Sequence, residues 1–182
     1  MRLIESQIDT SSPEFQANVI HNRNLAAQLA EKHRKARFDR PQRDIERLAR
    51  QKKMSVRERI EALLDPGTPF FELSTLAANQ AYGGEVPGAA IVTGIGIIAG
   101  QEVVIHADDP AVKGGAWYPL SVKKIVRALD IAIENRLPVV HLCDSAGGFL
   151  PLQADLFADK YLAGRIFRNQ ATLSKLGVPQ VA

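Results

Sequence analysis

Apolar positions recur at helical spacing up to about residue 65 and at strand spacing from Phe70 onward. Ser11-Ser12-Pro13-Glu14 reads as a helix start, and Phe15, Val19, Ala26, Leu29 and Ala30 line one side of a helix that fades near Arg37. Phe38-Asp39-Arg40-Pro41 is a break, after which Ile45, Leu48 and Ala49 mark a second, very basic amphipathic helix. Ser55 and Glu58 form a capping box for a third, which Pro66-Gly67 stops after roughly two and a half turns. Three helices ahead of any sheet predict an N-terminal helical arm, residues 1–66, that clasps the main body or a partner subunit.

The body, residues 67–182, reads differently. Residues 89–98 and 102–107 predict two β-branched strands joined as a hairpin at Ala99-Gly100-Gln101. Gly94 and Gly96 inside the first strand weaken it unless a bulge or a neighbouring chain needs the space. The pair lacks the third glycine and following helix of a dinucleotide fingerprint, which excludes that reading. Pro119 opens a helix over 120–136 with a broad apolar face at Val122, Ile125, Val126 and Leu129. A short apolar strand follows at Pro138-Val139-Val140-His141-Leu142, then a helix over 156–176 and a strand from Val178. A chain that stops inside a strand is expected to be the first part of a longer polypeptide.

Composition fits a globular domain: 182 residues, 46% hydrophobic and 24% charged. The single cysteine, Cys143, excludes an internal disulfide framework, and no Cys/His spacing resembles a zinc site, so no metal is expected. The first residues have no signal-peptide core and no apolar run reaches membrane-spanning length, which predicts a cytoplasmic protein without a membrane partner. The net charge of +3 hides a surplus of seven positive charges between residues 31 and 59. No aromatic residues interleave with that segment as a single-strand binder requires, so nucleic acid is not the expected partner.

Candidate chemistry gathers on two glycine loops, each at the carboxyl end of a strand, where ligands sit in such sheets. In Asp144-Ser145-Ala146-Gly147-Gly148 the near-absence of side chains lets a carbonyl oxygen approach the amides of Ala146, Gly147 and Gly148 and be held as it gains negative charge. The same five residues also suit a tight turn that binds nothing. Lys113-Gly114-Gly115-Ala116 carries a lysine that suits either a phosphate or solvent. Trp117 and Tyr118 read as core packing, while Phe149 and Leu150 suit the wall of an acyl pocket or ordinary core. Asp144 is expected to shape its turn through an Asx-type bond, and Ser145 lacks a nucleophile elbow. Cys143 reads as a small buried residue at a strand end, and His106 and His141 as satisfied core histidines.

Three blocks in order carry a resemblance: Arg57-Glu58-Arg59-Ile60 through Pro66-Gly67-Thr68-Pro69-Phe70, Val112-Lys113-Gly114-Gly115-Ala116-Trp117-Tyr118-Pro119, and Asp144-Ser145-Ala146-Gly147-Gly148-Phe149-Leu150-Pro151-Leu152-Gln153. From about residue 10 to its end the chain resembles the N-terminal half of the carboxyltransferase (beta) subunit of biotin-dependent acyl-CoA carboxylases, the methylcrotonoyl-CoA branch first and geranyl-CoA carboxylase close behind. Lys52-Lys53-Met54 and residues 38–43 depart from that family, and the loop reads Ser-Ala-Gly-Gly where Ser-Gly-Gly-Ala is usual.

The resemblance implies an α/β, crotonase-like spiral of ββα units behind the helical arm, with a biotin-binding second half absent. It implies transfer of CO2 from carboxybiotin, carried by a biotin carboxylase/biotin carboxyl carrier (alpha) partner, to an unsaturated acyl-CoA such as 3-methylcrotonoyl-CoA in leucine breakdown. The beta subunits are expected to form a homo-oligomer, and this chain alone is not expected to complete the transfer. Ala146, Gly147 and Gly148 would hold the enolate, with Lys113, Gly114, Gly115, Ala116, Phe149 and Leu150 around the substrate. The alternatives are an enoyl-CoA hydratase or isomerase, which shares the fold and needs a carboxylate acid/base pair, and an inactive CoA-binding or basic fragment.

Overall fold

The computed structural model describes residues 6–157 and 159–182; residues 1–5, read above for lacking a signal-peptide core, lie outside the described residues, as does Ala158. The arm contains α1 (Pro13–Phe38), α2 (Gln42–Arg50) and α3 (Val56–Leu63). Ser12 caps α1, its hydroxyl accepting the Phe15 N–H at 3.2 Å, with Pro13 behind it. The apolar side expected of α1 buries nothing: Phe15 and Val19 are half-covered, and Ala26, Leu29 and Ala30 are exposed. In α2 only Leu48 of the expected trio is buried, beside Asp44, while Ile45 and Ala49 face outward. The capping box of α3 is present in both directions: Glu58 N–H donates to Ser55 Oγ, and Ser55 N–H donates to the Glu58 carboxylate at 2.7 Å.

Among the described residues five strands, β1 (Phe71–Leu73), β2 (Ile91–Ile98), β3 (Gln101–Asp108), β4 (Val139–Leu142) and β5 (Gln180–Val181), lie side by side in chain order. The first three pair antiparallel and the last two join in parallel. Strand β2, strand β3 and helix α4 (Pro119–Asn135) make one ββα unit of the expected kind. Alternation along the strands serves two layers. Ile91, Val104 and Val139 pack with Val122, Ile125 and Leu129 of α4 on one face, and Val92, Val103 and Ile105 pack with Val56 and Ile60 of α3 on the other. Each fully buried Ile or Leu there contributes roughly 1.5–3 kcal/mol.

The strand glycines have a packing reason. A Cβ at Gly94 would run into the Phe70 ring, and one at Gly96 into the end of Leu64. The hairpin turns through Ala99 and Gly100, both at positive φ (51° and 76°), and Asp65 accepts both turn N–H groups at 2.8 Å. Ahead of β2, Ala89 and Ala90 also hold positive φ (59° and 56°). Ser121 and Lys124 of α4 clamp that bend by donating to the carbonyls of Ala89, Gly88 and Ile91. Burial of Lys124 lowers its pKa to about 8.

The helix expected over 156–176 starts late: α5 (Gln153–Leu156) ends where it should begin, and the long helix, α6, runs over Ala163–Lys175. Asp159 explains the late start. Its carboxylate accepts the N–H groups of Tyr161 and Leu162 at 2.6 and 2.9 Å, a local alternative to the helical ladder. The α6 face that follows sends Ile166 and Leu173 into the α4 layer.

Candidate functional site

The two glycine loops interlock at the carboxyl ends of β3 and β4. Beyond β3 and residues 109–112, Lys113 to Gly115 turns in 3-10 fashion, and Gly115 is required there: it has φ +72°, and a Cβ would run into the Asp144 carbonyl oxygen. Across the gap, Ala146 N–H donates to Gly114 O at 3.0 Å, and Ser145 Oγ donates to Gly115 O at 2.6 Å. Trp117 then bridges Gly148 in parallel fashion, with Trp117 N–H donating to Gly147 O at 2.9 Å and Phe149 N–H donating to Trp117 O at 2.8 Å.

These bonds revise the expected trio. The Ala146 amide is spent on Gly114 O, and the Gly147 amide is spent on Ser145 Oγ at 3.0 Å. Neither is free to meet a ligand oxygen. The Gly148 N–H makes no hydrogen bond among the described residues. Its direction follows from peptide planarity: in a trans peptide the N–H points opposite to the C=O. Gly147 C=O is turned toward Trp117, so Gly148 N–H is turned away from it.

An apolar cleft of about 250 Å³ borders that peptide, walled by Trp117, Val122, Leu150, Leu156 and Phe167. Leu150 lines this cleft, exposed at its mouth. Phe149 instead stacks on Tyr118, centroids 4.5 Å apart, and Gly115 and Ala116 are buried beneath the loop. Gly114 also borders a cleft of about 290 Å³ whose charged lining is Arg40, Arg43, Arg47 and Lys113 together with Asp44 and Glu85. Lys113 is exposed and ion-paired with Glu85.

Asp144 makes no Asx turn; its carboxylate meets Lys53 Nζ at 2.8 and 2.9 Å, which ties the arm to the loop. Cys143 is exposed rather than buried, at the end of β4. His106 and His141 are buried and share one Nδ1···Nδ1 hydrogen bond of 3.0 Å, while both Nε2 atoms lack one, so the pair is only half satisfied. Burial, then the neighbouring His106, holds the His141 pKa down at about 4. Burial pushes the Asp108 carboxyl up, and the neighbouring His106 ring together with the hydrogen bonds from Trp117 and the Asp144 N–H outweighs it, so its pKa lies below the usual carboxylate value. Sequence reasoning missed Lys53 and Asp108, whose partners stand 91 and 36 residues away along the chain. The one available signal was the acid pair Asp108-Asp109 leading into the first loop.

An α/β sheet with paired glycine loops at the carboxyl ends of its strands, beside an apolar cleft, places the chain in the class of α/β folds whose ligands sit at strand ends. Comparison narrows it: residues 47–182 match the family model "Carboxyl transferase domain", and the chain belongs to that family. It is 49% identical over 161 residues to the biotin-dependent 3-methylcrotonyl-coenzyme A carboxylase beta1 subunit of Mycobacterium tuberculosis, covering 88% of this chain and 30% of the relative. It is 45% identical over 181 residues to the probable mitochondrial methylcrotonoyl-CoA carboxylase beta chain of Drosophila melanogaster, covering 99% and 31%. Among solved structures, the beta subunit of Pseudomonas aeruginosa geranyl-CoA carboxylase superposes with TM-score 0.72 at 35% identity, covering 97% of this chain and 33% of that one. The chain thus has the crotonase-like fold of carboxyltransferase beta subunits and spans about a third of the length of these relatives. No helix among the described residues is long and apolar enough to cross a membrane.

Proposed function

We propose that this chain is the acyl-CoA-binding portion of a carboxyltransferase subunit of a biotin-dependent acyl-CoA carboxylase, with a branched unsaturated thioester such as 3-methylcrotonoyl-CoA as its substrate. The names of the relatives at 49% and 45% identity support the substrate class. The observation that carries the reading is the Gly148 N–H, turned away from Trp117 at the edge of an apolar cleft.

Each residue then has a task. The CoA phosphates meet the cleft beside Gly114, where Arg43, Arg47 and Lys113 reach solvent and would exchange their partners Asp44 and Glu85 for phosphate, while Arg40 stays on Asp109. The acyl chain lies against Trp117, Leu150 and Phe167, which exclude water. Loss of a proton from the acyl group puts negative charge on the thioester oxygen, and Gly148 N–H meets it. One such donor in a dry cleft is worth about 3 kcal/mol. Conjugation carries the charge to the remote carbon, which then attacks CO2.

Carboxybiotin, brought by a biotin carboxylase/carrier partner, supplies the CO2 and a proton acceptor. The donor at the cleft edge suits a thioester oxygen. A homo-oligomer of beta subunits, a cytoplasmic site and a place in leucine breakdown complete the reading, although the Drosophila relative is named as mitochondrial. A hydratase needs free carboxylates at the cleft. Among the described residues its walls carry none, Asp108 is buried in hydrogen bonds, and Asp144 is held by Lys53.

The test is titration of the chain with 3-methylcrotonoyl-CoA labelled with carbon-13 at the thioester carbonyl. Binding should displace the carbonyl resonance, and Gly148→Pro, which deletes the donor, should cancel the displacement. Absence of binding, or a displacement that survives the substitution, would sink the reading.

A further inference from the structure

Asp108 ends β3 with its side chain only 1% exposed, and its carboxylate faces donors from separate elements. Oδ1 accepts Trp117 Nε1–H at 2.8 Å, and Oδ2 accepts the Asp144 N–H at 3.1 Å. His106 Nε2 stands 3.5 Å from Oδ1. The two hydrogen-bond donors bracket the second glycine loop. Asp144 is its entrance, and Trp117 is the residue whose N–H and C=O hold Gly147 and Phe149.

Hydrogen bonds to an ionised acceptor are roughly twice as strong as neutral ones, and a buried setting strengthens them further. Turning the Gly148 peptide toward or away from the cleft moves Gly147 O or Phe149 N–H, and therefore Trp117. Trp117 cannot shift without stretching its bond to Asp108. The anchoring of the loop thus passes from a carboxylate in the core, through an indole, to the Gly148 peptide at the edge of the cleft.

We infer that Asp108 is a positioning residue, fixing the orientation of the Gly148 peptide through Trp117 and the Asp144 N–H without itself touching substrate. The inference rests on the reading of Gly148 as donor to a thioester. It makes Trp117 more than a wall: its ring borders the acyl cleft while its indole N–H carries the anchor.

Two variants of the full chain test it. Asp108→Leu removes the acceptor; Trp117→Phe keeps an aromatic wall and removes only the indole donor. In amide hydrogen exchange, Asp108→Leu should speed the Phe149 and Asp144 N–H groups at least about tenfold, and Trp117→Phe should speed Phe149 alone by a similar factor, with Leu129 of α4 unchanged in both. The thioester carbonyl displacement should shrink in both variants, while affinity for CoA lacking an acyl group stays within about twofold, a split that general loosening would not give. Unchanged Phe149 exchange in a folded Trp117→Phe protein overturns the inference, and that variant decides alone if Asp108→Leu does not fold. If exchange responds as expected and the wild-type chain shows no carbonyl displacement, the anchor stands and the thioester reading falls.

Discussion

His106 and His141 meet through their Nδ1 atoms, so one ring donates and the other accepts, and protonating both would set two cations together in the core. The pKa of His141 is about 4 in the fold and about 6.5 unfolded. Between those values the unfolded chain binds the extra proton, so stability rises as pH climbs from 4 to 6.5 and levels off above it, by on the order of 3 kcal/mol in all. His141→Leu should flatten that slope in urea denaturation at pH 5 against pH 7; an unaltered slope would show that other groups set it. At this scale the sequence was half legible. Small residues at 145–148 announced an open loop, but which amide stays free depends on Gly114 and Trp117, partners from a different loop. The odd strand glycines were visible too, without the Phe70 and Leu64 side chains that need their space. Gly94→Val forces Phe70 aside and should cost about 1–3 kcal/mol, read from the urea midpoint.

Among the elements, the arm is bolted to the sheet by charge. Arg40 meets Asp109 at 2.8 Å with both side chains nearly sealed (9% and 4% exposed), and Arg57 holds Glu72 at 3.0 Å. Part of the basic surplus of residues 31–59 thus serves inward pairing: Arg37, Arg40, Lys53 and Arg57 meet acids of the body. Arg40→Ala leaves Asp109 buried without its partner and should destabilise by about 3–5 kcal/mol; a loss below 1 kcal/mol in chemical denaturation would contradict the burial. Capping signals were the most legible feature of the elements, because a cap is written within four residues: the Ser55–Glu58 box and the Ser12 cap both stand where expected. The late start of the helix expected from 156 was not, since Asp159 draws the next N–H groups away from a helical ladder although the apolar spacing continues past it.

For the molecule as a whole, the ββα core, the strand pairing and the change from antiparallel to parallel at β3 give the body its layers, and the long first helix contributes little to them. Because α1 buries no residue, a chain lacking residues 1–30 should keep its melting temperature within about 2 °C; a larger drop would reveal contacts that the helix makes on itself or on another copy. The hydrophobic alternation that builds the two layers was plain from the sequence, whereas the order of strands came only with the fold. The outward Gly148 peptide has a consequence for how such a protein can change. A group supplied by the main chain is present whatever residue occupies the position, proline excepted, so no ordinary exchange of side chain deletes it. It can be lost only by bending the backbone. Inheritance of the chemistry therefore follows inheritance of a shape, and the letters along the loop are free to drift as far as the bend allows.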